Sequence, residues 1–274
     1  MREQRTYSTD AIILKHSDLG EADRILTLLT PYRGKYHAVA KGARRPVSRK
    51  AGHLELLCHS RLHLAQGRNL DIITQAQTHE AFLSLRQGND TWYSTCAIYL
   101  AELVDRFIED DTQHEDVYNL LLKALRELDS DAHEVHKQEA SGTPQPGRDR
   151  SLLLLRYFEI YLLAYAGYEP LLRTCAHCDT ELEPVINGFT PTLGGALCPN
   201  CSHLWAQKIS PNALKVLRLL QRTEWEHVPR LHLDAKIHAE AASAMHSLVR
   251  YHLEREIKSW SFLEALISQM PTNH

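Results

Sequence analysis

Pro31-Tyr32-Arg33-Gly34-Lys35-Tyr36-His37-Ala38-Val39-Ala40-Lys41 contains a turn and then a strand. Pro31 and Gly34 are turn formers. Beyond them Tyr36, Ala38 and Ala40 alternate with Lys35, His37 and Lys41, the period of two that sends successive side chains to opposite faces of a sheet. Upstream of the turn, Asp23–Thr30 reads as the strand that enters it. Asp10–His16, centred on Ala11-Ile12-Ile13-Leu14, reads as the strand before that. Downstream, Gly42–Gly52 is a basic loop. Strands are expected over Leu56–Leu64 and Leu70–Thr78, joined by a turn at Gln66-Gly67-Arg68-Asn69. Five short strands in about 80 residues, without a long helix, fit a small barrel of the oligonucleotide-binding (OB) type. Residues 1–80 are therefore expected to form one domain.

The net charge of −3 conceals an asymmetry. Residues 1–80 hold 13 Lys and Arg against 8 Asp and Glu, a net of +5, while the remainder nets −8. Within 31–50, Arg33, Lys35, Lys41, Arg44, Arg45, Arg49 and Lys50 meet no acidic residue at all. A polyanionic partner is the natural inference, and a solvated basic loop is the alternative. The candidate nucleic-acid contacts are Lys35, Lys41, Arg44, Arg45, Arg49 and Lys50, with Arg33 and Arg24 assisting. Tyr32 and Tyr36 are placed either to stack on bases or to fill the barrel.

From residue 81 the apolar period becomes helical. Trp92, Cys96, Tyr99, Leu100, Leu103 and Phe107 step by three and four, and so do Val117, Leu120, Leu121, Ala124, Leu125 and Leu128. The polar stretch at about 129–150 reads as a linker or long loop. Leu152–Gly167 reads as a buried helix although it contains Arg156 and Glu159. Ser210-Pro211 is a helix-start signal for a helix to about Thr223. A last helix is expected over about Asp234–Lys258. Residues 81–274 are accordingly expected to form a second, α-helical domain.

Cys175-Ala-His-Cys178 and Cys198-Pro-Asn-Cys201 lie in its middle, separated by residues 179–197. Two residues between cysteines let one tight turn aim both sulfurs at one ion, and a second such turn completes a tetrahedron. The expectation is one structural zinc in a module over about 172–206, with Val185-Ile186 and Phe189-Thr190 as strand-like pieces. Two disulfides or four buried thiols are the alternative, and His177 or His203 could replace a sulfur. Four sulfurs would leave no position for water or substrate, so such a site holds structure and does no chemistry. Cys58 and Cys96 read as core residues.

Catalytic signatures are absent: there is no phosphate-cradling glycine loop with Lys-Ser/Thr, no Gly-x-Ser-x-Gly and no His-Glu-x-x-His. Glu109-Asp110-Asp111 reads as a solvated acidic face. No signal peptide or membrane span is visible, and a reducing, cytoplasmic setting is expected.

Taken together, these residues resemble the RecO family of bacterial recombination mediators. The resemblance rests on Ala11-Ile12-Ile13-Leu14-Lys15, on Gly20-Glu21-Ala22-Asp23-Arg24-Ile25-Leu26-Thr27-Leu28-Leu29-Thr30, and on Ala40-Lys41-Gly42-Ala43-Arg44-Arg45-Pro46. It continues in Arg156-Tyr157-Phe158-Glu159, Gly167-Tyr168-Glu169-Pro170, Gly194-Gly195-Ala196-Leu197-Cys198 and Tyr251-His252-Leu253-Glu254-Arg255-Glu256. It implies an α+β multidomain protein: a five-stranded OB-type barrel, then an α-helical domain with an inserted four-cysteine zinc ribbon. It also implies no catalysis, binding of single- and double-stranded DNA, and annealing of complementary strands. The implied partners are RecR and the acidic C-terminal tail of single-strand-binding protein, so that RecA can replace that protein on DNA. A nucleoid-associated location follows. Arg250, Arg255 and Lys258 beside Leu253, Ile257 and Trp260 could receive the tail; a solvated helix face is the alternative. Two departures stand out. Asp179 follows the second cysteine where the family often has glycine, and the 129–150 stretch is longer than usual.

Overall fold

The computed structural model describes residues 5–87, 91–141, 148–203, 207–228, 230–253 and 256–268. The chain packs as two compact units, residues 1–137 and 138–274.

Unit one begins with β1 (Thr6–Leu19), β2 (Asp23–Thr30), β3 (Gly34–Ala40), β4 (His59–Ala65) and β5 (Asp71–Glu80). They close into a ring in the order β1-β2-β3-β5-β4, the arrangement of an OB barrel. All pairings are antiparallel except β3 with β5. That parallel seam is short, with Ala38 opposite Asp71 and Val39 opposite Ile72. Lys50, in the loop after β3, reaches across to β5 and donates from Nζ to the Ile73 carbonyl at 2.8 Å.

The alternation expected for β3 is realised: Tyr36, Ala38 and Ala40 enter a core shared with Ala11, Ile13, Leu26, Leu28, Leu62, Leu64 and Ile73. Each large aliphatic side chain so buried contributes about 1.5–3 kcal/mol. β1 is buried on both faces at Ala11–Leu14 because α1 (Trp92–Phe107) packs over it. Next comes α2 (Glu115–Ser141). Its Tyr118 hydroxyl lies 2.8 Å from His59 Nε2, and its Arg126 donates twice to Glu80 at 2.7 Å. His59 Nδ1 in turn meets Glu80 Oε1 at 2.9 Å, so β4, β5 and α2 share one polar clamp.

By compaction, α1 and the part of α2 up to residue 137 group with the barrel. Two expectations need correction. The stretch from 129 to 141 is helix rather than linker, because Ala132 and Val135 continue the buried stripe of Leu125 and Leu128 at helical spacing. Residues 142–147 lie outside the described residues. The last helix is two, α5 (Ala235–Leu253) and α6 (Lys258–Ser268), with 254–255 outside the described residues.

In unit two, α3 (Asp149–Tyr165), α4 (Pro211–Arg222) and α5 pack against one another. Ser210 caps α4 by accepting from the Ala213 amide at 3.3 Å. The two buried charges of α3 meet each other: Arg156 donates to Glu159 at 2.5 Å, with side chains 2% and 0% exposed. Among the described residues, no helix is long and apolar enough to cross a membrane.

Candidate metal centre and nucleic-acid interface

A three-stranded antiparallel sheet, β7-β6-β8, supports the cysteine pairs; its strands are β6 (Asn187–Thr190), β7 (Gly195–Leu197) and β8 (Gln207–Ile209). Phe189, Ala196, Leu197 and Leu172 fill its small interior. Val185 and Ile186, expected as strand residues, precede β6 and are 39% and 62% exposed. β6 and β8 lie on α5, with Ser243 donating to Gln207 Oε1 at 3.2 Å.

Cys175, Cys178, Cys198 and Cys201 place their sulfurs within 4.8 Å of one another, and none is in a disulfide. A tetrahedron with metal–sulfur bonds of about 2.3 Å has edges of about 3.8 Å, and the Cys178–Cys198 separation is 3.8 Å. The donor set and its spacing fit a divalent ion of the zinc type. Burial pushes the Cys175 thiol up, but hydrogen bonds from the Cys198, His177 and Cys178 backbone outweigh it and draw it to about 6. Burial and the three neighbouring sulfurs push Cys201 up to about 12. Four sulfurs this close cannot all ionise unless a cation sits among them. His177 is exposed, with Nδ1 3.6 Å from Cys201 Sγ, and His203 is exposed too. Asp179 adopts a left-handed φ of +59°, a conformation glycine favours and aspartate tolerates, and its amide donates to the Cys175 carbonyl at 2.9 Å.

The basic segment divides in two. Arg33 is bound to Asp71 at 2.8 Å and to Asp111 at 2.5 Å, and its guanidinium lies 4.2 Å from the Tyr36 ring centroid. Lys35 is buried and directed at Asp110 (3.3 Å), Asp105 (3.7 Å) and the Asp105 carbonyl (2.5 Å). Arg24 pairs with Glu55 at 3.2 Å and Asp18 at 3.8 Å. Lys50 is partly buried, and burial lowers its ammonium pKa. In contrast Lys41, Arg45 and Arg49 are exposed and have no ion pair or side-chain hydrogen bond among the described residues. Arg44 is exposed but held, pairing with Asp18 at 3.4 Å and donating to the Gly20 carbonyl at 3.0 Å. Tyr32 is 72% exposed on the β2–β3 turn, whereas Tyr36 is core.

The acidic triplet is exposed, as expected, but Asp110 and Asp111 also pair with the cations of β3 and the turn before it. Asp110 also meets His37 at 3.3 Å, and the 110–112 backbone lies against the start of β3. A Cβ on Gly34 would sit 1.8 Å from the Thr112 carbonyl oxygen, and Gly34 has φ +67°, so glycine is required there twice over. Sequence reasoning missed these acids because they stand more than 70 residues from their partners. It also passed over Arg68, a single cation in the β4–β5 turn, exposed and unpaired among the described residues.

Unit two has a groove lined by Gln207, His246, Arg250, Tyr251 and Glu256 among others. His246 stacks on Trp260 with centroids 3.8 Å apart; burial, with Arg156 and Arg250 nearby, pushes it down to about 4. Of the cations suggested for an acidic tail, Arg250 lines this groove and Arg255 lies outside the described residues.

Residues 1–82 match the family described as Recombination protein O N terminal, and residues 89–138 and 144–261 match Recombination protein O C terminal. A DNA repair protein RecO from Dehalococcoides mccartyi is 38% identical over 267 residues, covering 97% of this chain and 98% of the relative. One from a Roseiflexus species is 39% identical over 271 residues, covering 98% and 89%. One from a Nocardioides species is 36% identical over 261 residues, covering 94% and 99%. With both parts of the family matched in order and relatives similar over nearly their whole length, the chain belongs to the recombination protein O family of DNA repair proteins.

Proposed function

We propose that the protein is a non-enzymatic DNA-binding mediator that binds single- and double-stranded DNA and anneals complementary strands. Working with RecR, it would help RecA replace single-strand-binding protein, in the cytoplasm and at the nucleoid. The observation that carries the DNA reading is the exposed loop set Lys41, Arg45 and Arg49 on an OB barrel, with Arg44 beside them exposed but paired with Asp18. Arg68 on the β4–β5 turn adds to it, in a loop position that OB folds use for oligonucleotides. Lys35, Arg33, Arg24 and Lys50, bound to protein groups, would serve by shaping the barrel beneath. The Arg250 groove, with Tyr251 beside the cation, supports capture of the acidic tail there.

The test is annealing of complementary oligonucleotides coated with single-strand-binding protein. A mediator anneals them without nucleotide or metal turnover; strand degradation would indicate a nuclease, and no effect a protein-only scaffold. The four sulfurs would hold one structural zinc. Removing it should melt the ribbon, whose own core is small, and leave the barrel folded. A Cys198→Ser, Cys201→Ser variant should lose zinc by elemental analysis and become protease-sensitive over 175–201. Full zinc content in that variant would refute the site.

A further inference from the structure

The six cysteines differ sharply in their access to solvent. Cys58 and Cys96 are 0% exposed. Within the ribbon Cys175 and Cys198 are buried, Cys201 is half-buried and Cys178 is exposed. The exposed sulfur is also the one 3.8 Å from Cys198 Sγ. A thiolate kept ready for metal is the form that attacks peroxides, and a second thiolate within reach turns that attack into a disulfide rather than an over-oxidised acid.

We propose that Cys178 and Cys198 are a peroxide-oxidisable pair that makes the ribbon the oxidation-sensitive element of the protein. This rests on the metal-site reading above. The Cys178 thiolate attacks one peroxide oxygen; the O–O bond breaks, leaving a sulfenic acid and hydroxide. The Cys198 thiolate then attacks that sulfur, expelling a second hydroxide as the S–S bond forms. Two protons from solvent turn both hydroxides into water. Overall, two thiolates lose two electrons and one hydrogen peroxide is reduced to two waters.

Closing the pair to a disulfide contracts 3.8 Å to about 2.05 Å. Cys175 and Cys201 remain, too few to complete a tetrahedral shell. The ribbon then loses its metal, and the contacts of β6 and β8 with α5, including Gln207 at the groove wall, loosen.

The experiment uses the purified full-length, zinc-loaded chain, with a Cys58→Ala, Cys96→Ala variant in parallel. Both receive a modest excess of hydrogen peroxide. Zinc freed to a colorimetric chelator, residual thiols and mass-spectrometric disulfide mapping are followed together. The expected result is stoichiometric zinc release, two thiols lost per chain, a Cys178–Cys198 link, and recovery with dithiothreitol and zinc. Zinc retained with all four ribbon thiols intact overturns the proposal. So does release accompanied only by sulfinic or sulfonic acids, or a disulfide without Cys178. Protein that holds no zinc before peroxide is added overturns the metal reading itself. The wild-type chain gives the same map should the double variant fold poorly.

Discussion

Residues 33–37 and 41–49 belong to one acid-free basic run, yet they meet opposite fates. The first stretch forms the start of a strand, and the chain brings Asp71, Asp105, Asp110 and Asp111 to its cations. The second forms a loop whose Lys41, Arg45 and Arg49 face water, while Arg44 is paired with Asp18. A count of charge along the sequence treats the two alike; the fold pairs the first with acids and leaves most of the second exposed. The lesson is that a basic run reports a binding surface only after distant acids have been subtracted.

The largest effect should come from the loop. Replacing Lys41, Arg44, Arg45 and Arg49 by Ala should weaken single-stranded DNA binding on the order of a hundredfold at low salt. It should also flatten a salt slope near about −2.8, the value for four neutralised phosphates. Fluorescence anisotropy against salt measures both, and an unchanged slope would dissolve the distinction between the stretches. Lys35→Ala should do the reverse. It strands Asp105 and Asp110 without their cation and should cost about 2 kcal/mol in denaturant unfolding, discounted for the half-exposed Asp110. DNA affinity should barely move; a large loss of affinity with full stability would return Lys35 to the interface.

Acid should separate the stretches a third time, more gently. Burial alone would raise the Asp71 carboxyl, but hydrogen bonds from Tyr7, the Gly67 amide and Arg33 hold it below the usual carboxylate range. Burial likewise opposes, and Arg61 and His79 outweigh it, at Asp10. A depressed carboxylate contributes stability that is complete above its unfolded pKa of about 4 and is lost as pH falls through the lower folded value. The barrel should therefore weaken below about pH 4. Denaturant midpoints that stay flat down to about pH 3 would show that these pairs contribute little.

Much of this is legible in the sequence. Strict alternation in Tyr36, Ala38 and Ala40 marks β3, and β2 runs over Asp23–Thr30, as expected. The Cys-x-x-Cys pairs announce four converging sulfurs, because a two-residue spacer leaves a tight turn little choice. What stays hidden depends on long-range packing. Ala132 and Val135 extend α2 through a polar stretch because their small apolar face is buried, which composition alone does not register. Arg156 and Glu159 sit in an apolar helix because each is the other's partner. Asp179 holds a left-handed backbone that nothing in its neighbours along the chain announces.

The parallel β3–β5 seam gives the barrel a preferred line of parting. Every other junction in the ring is a long antiparallel ladder; this one has two register pairs and is reinforced by side chains, Arg33 to Asp71 on one flank and Lys50 to Ile73 on the other. Local opening starts where backbone pairing is thinnest, so the amides of 38–39 and 71–73 should exchange with solvent before those of β1 and β2. Lys50 belongs to the same loop as the free cations, so the loop is moored across the line that opens first. Any load on that loop, such as a nucleic-acid strand drawn along it, is transmitted directly to the closure of the ring.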